Sequence, residues 1–312
     1  MLTDIEITGS VDRQRVRSAL REGFFLVRHT VPESLLDDAY ALLTEFFELP
    51  ADQKAQCVVP GSNGQSGYTP PGVETAEKAT VPDWKELFHW GAELPAGHPL
   101  LTRYPARYPP PLLPEQLVPG MAAPLKELHA SMVQFQQQVM AAITEAVGAR
   151  PGYFAEMLQD GPVVNRASWY PPMDQAPSPG QVWAVEHQDF DLITALPRAT
   201  AGGLEVLREN GEWMPVDAPD GYAVINVGMV LDRLTNGLAR AAVHRVVAST
   251  GQTGGRLSIV QFCHPAPWTV LTPLRPLGTD EVPRYPTLTA DDLFQRTMFR
   301  INRLEASAGE VR

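Results

Sequence analysis

A run of polar residues after an apolar segment contains the side chains best suited to chemistry in this chain. Residues 186–190 read Glu-His-Gln-Asp-Phe, so an imidazole and a carboxylate stand two positions apart. Side chains on a β-strand alternate between its faces, so His187 and Asp189 are expected to project towards one point. A His-x-Asp pair is common by chance, and a further ligand is needed before it indicates a metal site.

A third ligand is available in a later segment. His244 lies within residues 241–247, Ala-Ala-Val-His-Arg-Val-Val, which have strong β character. Two neutral imidazoles and one carboxylate on one face of a metal ion leave its other positions open. Iron(II) oxygenases use this geometry to bind a chelating co-substrate and dioxygen. The remaining histidines are expected to be surface or packing residues: His29, His89, His98, His129 and His264.

Arg256 and Ser258 form a second pair with a shared face. On a strand they point the same way, and a guanidinium fork beside a hydroxyl suits a carboxylate. An inward Arg is costly unless it is paired, and no fixed acidic partner stands on the same segment. The pair therefore indicates a site for a ligand carboxylate. A structural salt bridge to an unidentified Asp or Glu is the alternative.

These residues resemble the motif set of the isopenicillin N synthase-like, 2-oxoglutarate- and iron(II)-dependent dioxygenase family. His187, Asp189, His244, Arg256 and Ser258 follow the family's order. Other segments also resemble the family along nearly the whole chain: residues 23–25, 46–54, 67–68, 83–86, 166–171, 203–213, 222–228, 234–237 and 256–265. The combination is far more specific than any single motif.

The resemblance implies a fold and a set of cofactors. The fold is mainly β with flanking helices, around a double-stranded β-helix (jelly-roll) core that binds Fe(II) at one mouth. His187, Asp189 and His244 are the implied metal ligands. The family uses 2-oxoglutarate as co-substrate, chelated to the iron, together with dioxygen. The distal carboxylate of 2-oxoglutarate is expected to reach Arg256 and Ser258.

Residues 166–171 resemble the family's arginine-to-tyrosine-proline strand. They place Tyr170 as a helper for the distal carboxylate and Ser168 among the co-substrate contacts, where many relatives have Asn. Trp169 stands where many relatives have Tyr. Tyr170 is equally suited to be a packed aromatic residue with a satisfied hydroxyl.

Four aromatic residues are candidates for the wall of the substrate pocket, and each is also a candidate core residue: Phe190, Phe262, Trp84 and Phe88.

The resemblance also implies an activity. The expected enzyme oxidises an unactivated C–H bond of a small molecule, by hydroxylation, desaturation or cyclisation, in secondary metabolism. One alternative is a 2-oxoglutarate-independent oxidase of the isopenicillin N synthase type, with the substrate's own carboxylate on Arg256 and Ser258. Another is a non-catalytic jelly-roll binding protein. No residue pattern points to a particular substrate or to an oligomeric state.

The resemblance implies one oxygenase domain, residues 1–312, and the periodicity predicts helices first and strands second. In a helical N-terminal part, residues 1–150, apolar side chains at helical spacing predict one helix around Leu35 to Phe47 and another over residues 121–147. Short strands separated by turns predict the jelly-roll core over residues 160–275.

Two further segments have their own signals. Nine prolines between Pro95 and Pro124 argue against a regular element there, and residues 60–124 are expected to form an irregular lid. Thr289 and Asp292 resemble a capping box, which predicts a C-terminal helix over residues 286–306.

Composition limits the kinds of partner. The 312 residues include 44% hydrophobic and 20% charged residues, as in a globular protein. The net charge of -11 argues against a nucleic-acid partner, because phosphate binding needs clustered Lys and Arg. No signal peptide or membrane-spanning segment is expected, and the two cysteines show no disulfide framework. A cytoplasmic protein without a membrane partner is therefore predicted.

Overall fold

The computed structural model describes residues 2–9, 11–62, 64–71, 85–172, 182–248, 254–274 and 282–302. The helices are α1 (Arg13–Glu22), α2 (Glu33–Glu48), α3 (Ala51–Ala55), α4 (Pro99–Arg103), α5 (Ala122–Val147), α6 (Tyr153–Leu158), α7 (Met229–Leu234) and α8 (Ala290–Asn302). The strands are β1 (Thr3–Ile5), β2 (Phe24–Arg28), β3 (Gly67–Thr69), β4 (Glu86–Gly91), β5 (Val163–Tyr170), β6 (Val182–His187), β7 (Ile193–Leu196), β8 (Leu204–Leu207), β9 (Trp213–Pro215), β10 (Tyr222–Val227), β11 (His244–Val247) and β12 (Arg256–Cys263).

Two sheets form the β core. The larger has eight strands in the order β1-β2-β10-β7-β12-β5-β4-β3, and the smaller has four in the order β6-β11-β8-β9. Only β1 and β2 pair in parallel, and all other neighbours are antiparallel. An apolar cluster with Phe24 and Tyr170 on the larger sheet and Trp183 and Val206 on the smaller one joins the two sheets. This is the expected two-layer jelly-roll arrangement.

The long helix α5 covers the outer face of the larger sheet. It contacts β7 and β12 on one side and α1 and α2 on the other. Its predicted apolar stripe is buried: Leu125, Leu128, Met132, Phe135, Val139 and Ile143. Gly148 ends the helix with a φ of 75°, a conformation that favours glycine. The helical periodicity therefore located both the helix and the face that packs.

The prediction of an irregular segment over residues 60–124 is wrong in three places. β3 and β4 lie in the larger sheet, and β4 pairs with β5 along its full length. Five of the six β4 residues are buried, so the strand lacks the alternation that identifies a half-exposed strand. The short helix α4 also forms within the proline-rich run. Pro99 occupies its first turn, where its missing N–H is tolerated.

Two further expectations concern the termini and the thiols. Helix α8 begins at Ala290, and the Thr289 hydroxyl accepts a hydrogen bond from the Asp292 N–H, as expected for a capping box. Residues 303–306 of the predicted helix lie outside the described residues.

Cys57 and Cys263 are free and buried. Within the described part of the chain, no helix is both long and apolar enough to span a bilayer.

Candidate metal centre and co-substrate pocket

The three predicted metal ligands lie at the ends of two paired strands. β6 ends at His187, β11 begins at His244, and these two residues are direct partners in the antiparallel pairing. Their ring centroids are 4.3 Å apart. Asp189 lies beyond the end of β6, outside any strand, so the strand alternation that predicted its direction does not apply to it. The segment after β6 nevertheless brings its carboxylate to the two imidazoles.

The ligand atoms are close enough to share one ion. The Oδ1 atom of Asp189 lies 3.9 Å from Nε2 of His187 and 3.9 Å from Nε2 of His244. One ligand atom from each of the three residues lies within 4.8 Å of the others. Ligands about 2.1 Å from one metal are about 3.0 Å apart at adjacent positions and about 4.2 Å apart at opposite ones, so the 3.9 Å separations are within reach of one ion and shorten when a facial set closes on it.

Backbone carbonyls orient both rings. Nδ1 of His187 lies 2.8 Å from the Val185 carbonyl, and Nδ1 of His244 lies 3.4 Å from the Ala242 carbonyl. A proton on Nδ1 leaves the Nε2 lone pair free to bind a metal. Neutral imidazole is also favoured at His187, because burial and the neighbouring His244 lower its pKa to about 4.

The Asp189 carboxylate is held by two neutral donors. Its Oδ2 atom accepts hydrogen bonds from the Thr194 hydroxyl, at 2.6 Å, and from the Asn226 side-chain amide. Burial opposes ionisation of Asp189, but the two histidines and these hydrogen bonds outweigh it and lower the pKa of the carboxyl. An ionised Oδ1 is therefore presented towards the imidazoles.

A cavity of about 90 Å³ extends from these ligands between the two sheets. Arg256, Ser258, Tyr170 and Ser168 all line it, because the pairing of β12 with β5 sets Arg256 opposite Tyr170 and Ser258 opposite Ser168. The metal ligands and the predicted co-substrate residues thus line one pocket.

Arg256 is buried and lacks an acidic partner among the described residues. Its Nη1 donates to the Ser258 hydroxyl at 3.0 Å, and its Nε donates to the carbonyls of Ala201 and Gly202, each at 3.1 Å. The guanidinium carbon lies 5.4 Å from the Tyr170 ring centroid. All these partners are neutral, so an anion is needed to balance the buried charge. The salt-bridge alternative is therefore not found among the described residues.

The aromatic pocket candidates separate into three groups. Phe262 lines the cavity. Phe190 does not line it and packs instead against His264 and Phe294, while Phe88 is fully buried against Phe46 and Trp90 in the apolar core. For these two residues the structure favours a packing role over the predicted pocket wall. Trp84 lies outside the described residues.

The structure adds four residues that received no role from the sequence. Thr194 and Asn226 hold the carboxylate, and Lys85 and Arg166 line the cavity, where Arg166 lies over the Phe262 ring. Asn226 stands in a segment that resembles the family, residues 222–228, so its position offered a signal. The function of Thr194 and Asn226 depends on the pairing of β10 with β7, which places Asn226 opposite Thr194 and is a long-range property.

Comparison with known proteins places this geometry in a family. Residues 10–116 match the family described as non-haem dioxygenase in morphine synthesis N-terminal, and residues 159–265 match the 2OG-Fe(II) oxygenase superfamily. A 2-oxoglutarate-dependent dioxygenase of Talaromyces stipitatus, tropC, is 32% identical over 260 residues, which are 80% of this chain and 78% of that protein. The chain belongs to the 2OG-Fe(II) oxygenase superfamily.

Further known proteins are similar to this oxygenase, one in sequence and two in structure. The mugineic-acid 3-dioxygenase of Hordeum vulgare is 30% identical over 309 residues, covering 96% of this chain and 84% of that enzyme. A crystal structure of a 2OG-Fe(II) oxygenase family protein from Caulobacter crescentus has a TM-score of 0.79 and 33% identity, covering 91% of this chain and 93% of the other. A Neurospora crassa protein in complex with alpha-KG has a TM-score of 0.77 and 25% identity, over 91% and 89%.

Membership confirms the predicted fold class, enzyme class and cofactors. The oxygenase has a jelly-roll core and is a 2-oxoglutarate-dependent dioxygenase that uses Fe(II), 2-oxoglutarate and dioxygen. The alternatives of a 2-oxoglutarate-independent oxidase and of a non-catalytic binding protein are not favoured.

Proposed function

We propose that His187, Asp189 and His244 hold the Fe(II) of this oxygenase and that Arg256, Ser258 and Tyr170 hold the distal carboxylate of 2-oxoglutarate. The observation that supports this assignment most strongly is the shared cavity. The three ligand residues and a buried guanidinium without an acidic partner line the same space. Ser168 lines the same pocket, opposite Ser258, and is a further proposed co-substrate contact.

The donor set fits the metal. Two imidazoles and one carboxylate form the facial ligand set of non-haem iron(II) oxygenases. When bound, Fe(II) with dioxygen couples oxidative decarboxylation of 2-oxoglutarate, to succinate and carbon dioxide, to removal of hydrogen from a substrate carbon.

The chain's own residues bind, orient and exclude water. The carbonyls of Val185 and Ala242 fix the imidazole tautomers, so each ring offers Nε2. Thr194 and Asn226 fix the orientation of the Asp189 carboxylate. Arg256, with a fork of donors, orients a carboxylate at the other end of the cavity. Burial of Arg256 limits the access of water to it and strengthens its contact with a carboxylate.

The substrate of the proposed reaction is a small molecule of secondary metabolism. The names of two relatives, the mugineic-acid 3-dioxygenase and the thebaine 6-O-demethylase of Papaver somniferum, support this class. The oxidised substrate carbon is hydroxylated, desaturated or joined in a ring. Phe262 is the proposed aromatic wall.

We also propose a cytoplasmic protein without nucleic-acid or membrane partners. The net charge of -11 and the two free, buried thiols support this proposal.

An anaerobic titration tests the assignment. Adding 2-oxoglutarate to the Fe(II)-loaded protein under nitrogen should produce the visible charge-transfer band of an iron-bound 2-oxo acid. Admission of air should then yield succinate. His187→Ala should produce no band, whereas Arg245→Met, at an arginine paired with Glu205, should leave the band and its midpoint unchanged. A full-strength band from His187→Ala would contradict the metal assignment.

A further inference from the structure

Arg107 is a second buried guanidinium without an acidic hydrogen-bond partner. It is 5% exposed, and its charged carbon lies 3.9 Å from the Phe294 ring centroid. Stacking on a ring satisfies no N–H group, because the donors of a guanidinium lie in its own plane. Its Nε is buried with no acceptor among the described residues.

The charges around Arg107 leave it cationic. Burial lowers its pKa to about 10, against the attraction of Asp291, so it remains protonated at neutral pH. Asp291 acts on it only through space, since no ion pair joins the two side chains. His264 lies nearby, and its pKa is lowered far below the usual range by burial and by Arg107. The described surroundings therefore include no carboxylate in contact with this guanidinium.

Arg107 lines a cavity separate from the metal centre. The cavity has a volume of about 210 Å³ and lies between α5 and the edges of β4, β5 and β12. Cys263 lines it, whereas Phe262, the preceding residue on β12, lines the metal cavity. Since neighbouring strand residues point to opposite faces, the two cavities lie on opposite sides of the sheet.

Gln136 also lines this cavity, but its side-chain oxygen has almost no surface open to it. Gln136 is 1% exposed, and its Nε2 donates to the carbonyl of Gln261 at 2.8 Å, which fixes the orientation of the amide. Its Oε1 is buried with no donor among the described residues. His129, also in the lining, has its pKa lowered to about 4 by burial and is neutral at pH 7. The carboxylate in the lining is that of Asp160, which is an exposed residue.

We propose that this second cavity binds a small monocarboxylate, such as glycolate, at Arg107. The carboxylate accepts hydrogen bonds from the guanidinium and supplies the contacting anion that the described surroundings lack. A dianion is disfavoured, because the lining offers a single positive charge and Asp291 acts on it as well. Water alone would satisfy N–H groups, but the buried charge would then be balanced only by Asp291, which does not contact the guanidinium.

Calorimetry with glycolate tests this site in the holoenzyme. The protein is first saturated with Fe(II) and 2-oxoglutarate under nitrogen, so that Arg256 is occupied. Glycolate should then bind at one equivalent. Arg107→Met should weaken glycolate binding by about tenfold or more, because it removes a charge-assisted pair. Arg103→Met, at an arginine that also lies over a ring, should have no effect.

Three results would overturn the proposal. They are no glycolate binding to the wild-type holoenzyme, equal binding by Arg107→Met, and loss of binding only when Arg256 is replaced. If water alone fills the cavity, Arg107→Met should melt at a higher temperature than the wild type and glycolate should not bind. Should Arg107→Met fail to fold, a crystal of the wild-type holoenzyme grown with glycolate decides. Density against Arg107 supports the site, and density confined to the metal cavity refutes it.

Discussion

The hydroxyl of Thr194 lies 2.6 Å from Oδ2 of Asp189, while Oδ1 of the same carboxylate is the atom nearest to both imidazoles. Asn226 donates to the same Oδ2. Two neutral donors therefore occupy one oxygen and leave the other for a metal. The direction of the carboxylate is set by β7 and β10 of the larger sheet, although the two histidines belong to the smaller sheet.

Removing these donors should weaken iron binding without abolishing it. Asn226→Ala and Thr194→Val should each lower the affinity for Fe(II) by about 10–100-fold, because the carboxylate loses its orientation. Anaerobic Fe(II) titration measures the affinity. Thr144→Val is the control, since its hydroxyl donates to a carbonyl within α5, away from the metal. An equal loss of affinity in the control would indicate a general effect on folding.

Asp189 and Asp191 should respond differently to the same substitution. Burial and the charge of Asp189 raise the pKa of Asp191 well above its usual range, which favours its neutral form. Asp189→Asn removes a negative ligand and should abolish Fe(II) binding. Asp191→Asn puts a neutral amide of the same shape where the neutral carboxyl is favoured and should retain most of the binding. Bound iron per protein, measured after desalting, distinguishes these outcomes, and loss of iron from both variants would contradict them.

Arg256→Met should weaken 2-oxoglutarate binding while leaving the metal in place. The loss should be about 2–5 kcal/mol, because a ligand carboxylate is left without its buried charged partner. Calorimetry with 2-oxoglutarate on the anaerobic Fe(II) protein measures it, with bound iron determined in the same sample. Arg245→Met is the matched control, because Arg245 pairs with Glu205 and stacks on Trp213. Loss of iron from Arg256→Met would contradict the assignment.

The sequence predicted what local periodicity and motif spacing determine. The apolar stripe of α5 identified its buried face, and alternation on β12 correctly set Arg256 and Ser258 on one side. The convergence of His187 and Asp189 was also predicted, although Asp189 lies beyond the end of β6 and not on the strand.

Long-range packing explains what the sequence did not predict. β4 is buried on both faces, so its residues show neither the period of a helix nor the alternation of a half-exposed strand. The packing role of Phe88 has the same cause. Phe88 is a residue of β4, and its place in the core depends on β4 lying beside β5. Phe190 next to Asp189 suggested a pocket wall, but its ring packs against Phe294, far along the chain. Neither arrangement has a local signal.

A buried ion pair in the N-terminal half should contribute strongly to stability. Nζ of Lys54 lies 2.5 Å from Oε2 of Glu86, which also accepts a hydrogen bond from Tyr68. Lys54→Met should lower the free energy of unfolding by about 3–5 kcal/mol, because it leaves a buried carboxylate without its cation. Urea denaturation measures this change.

The exposed pair between Lys126 and Glu93 provides the comparison for Lys54. Their side chains are 58% and 67% exposed, so Lys126→Met should cost less than about 1 kcal/mol. Equal costs for the two substitutions would contradict a special role for the buried pair.

His129 should make the folded protein sensitive to acid. Its Nδ1 lies 2.7 Å from the Asn165 amide nitrogen and accepts its hydrogen bond, so the folded state requires a neutral ring, and burial lowers the pKa of His129 from 6.5 to about 4. Above about pH 6.5 the ring is neutral in both states and imposes no penalty. Between about pH 6.5 and 4 only the unfolded state takes up the proton, so stability falls as the pH falls, by up to about 3 kcal/mol. In His129→Gln the side-chain oxygen can accept the Asn165 hydrogen bond without titrating. Urea denaturation from pH 8 to pH 4 should therefore show a shallower loss for the variant, with the difference confined to the acidic range. Parallel curves for the two proteins would mean that other groups cause the acid sensitivity.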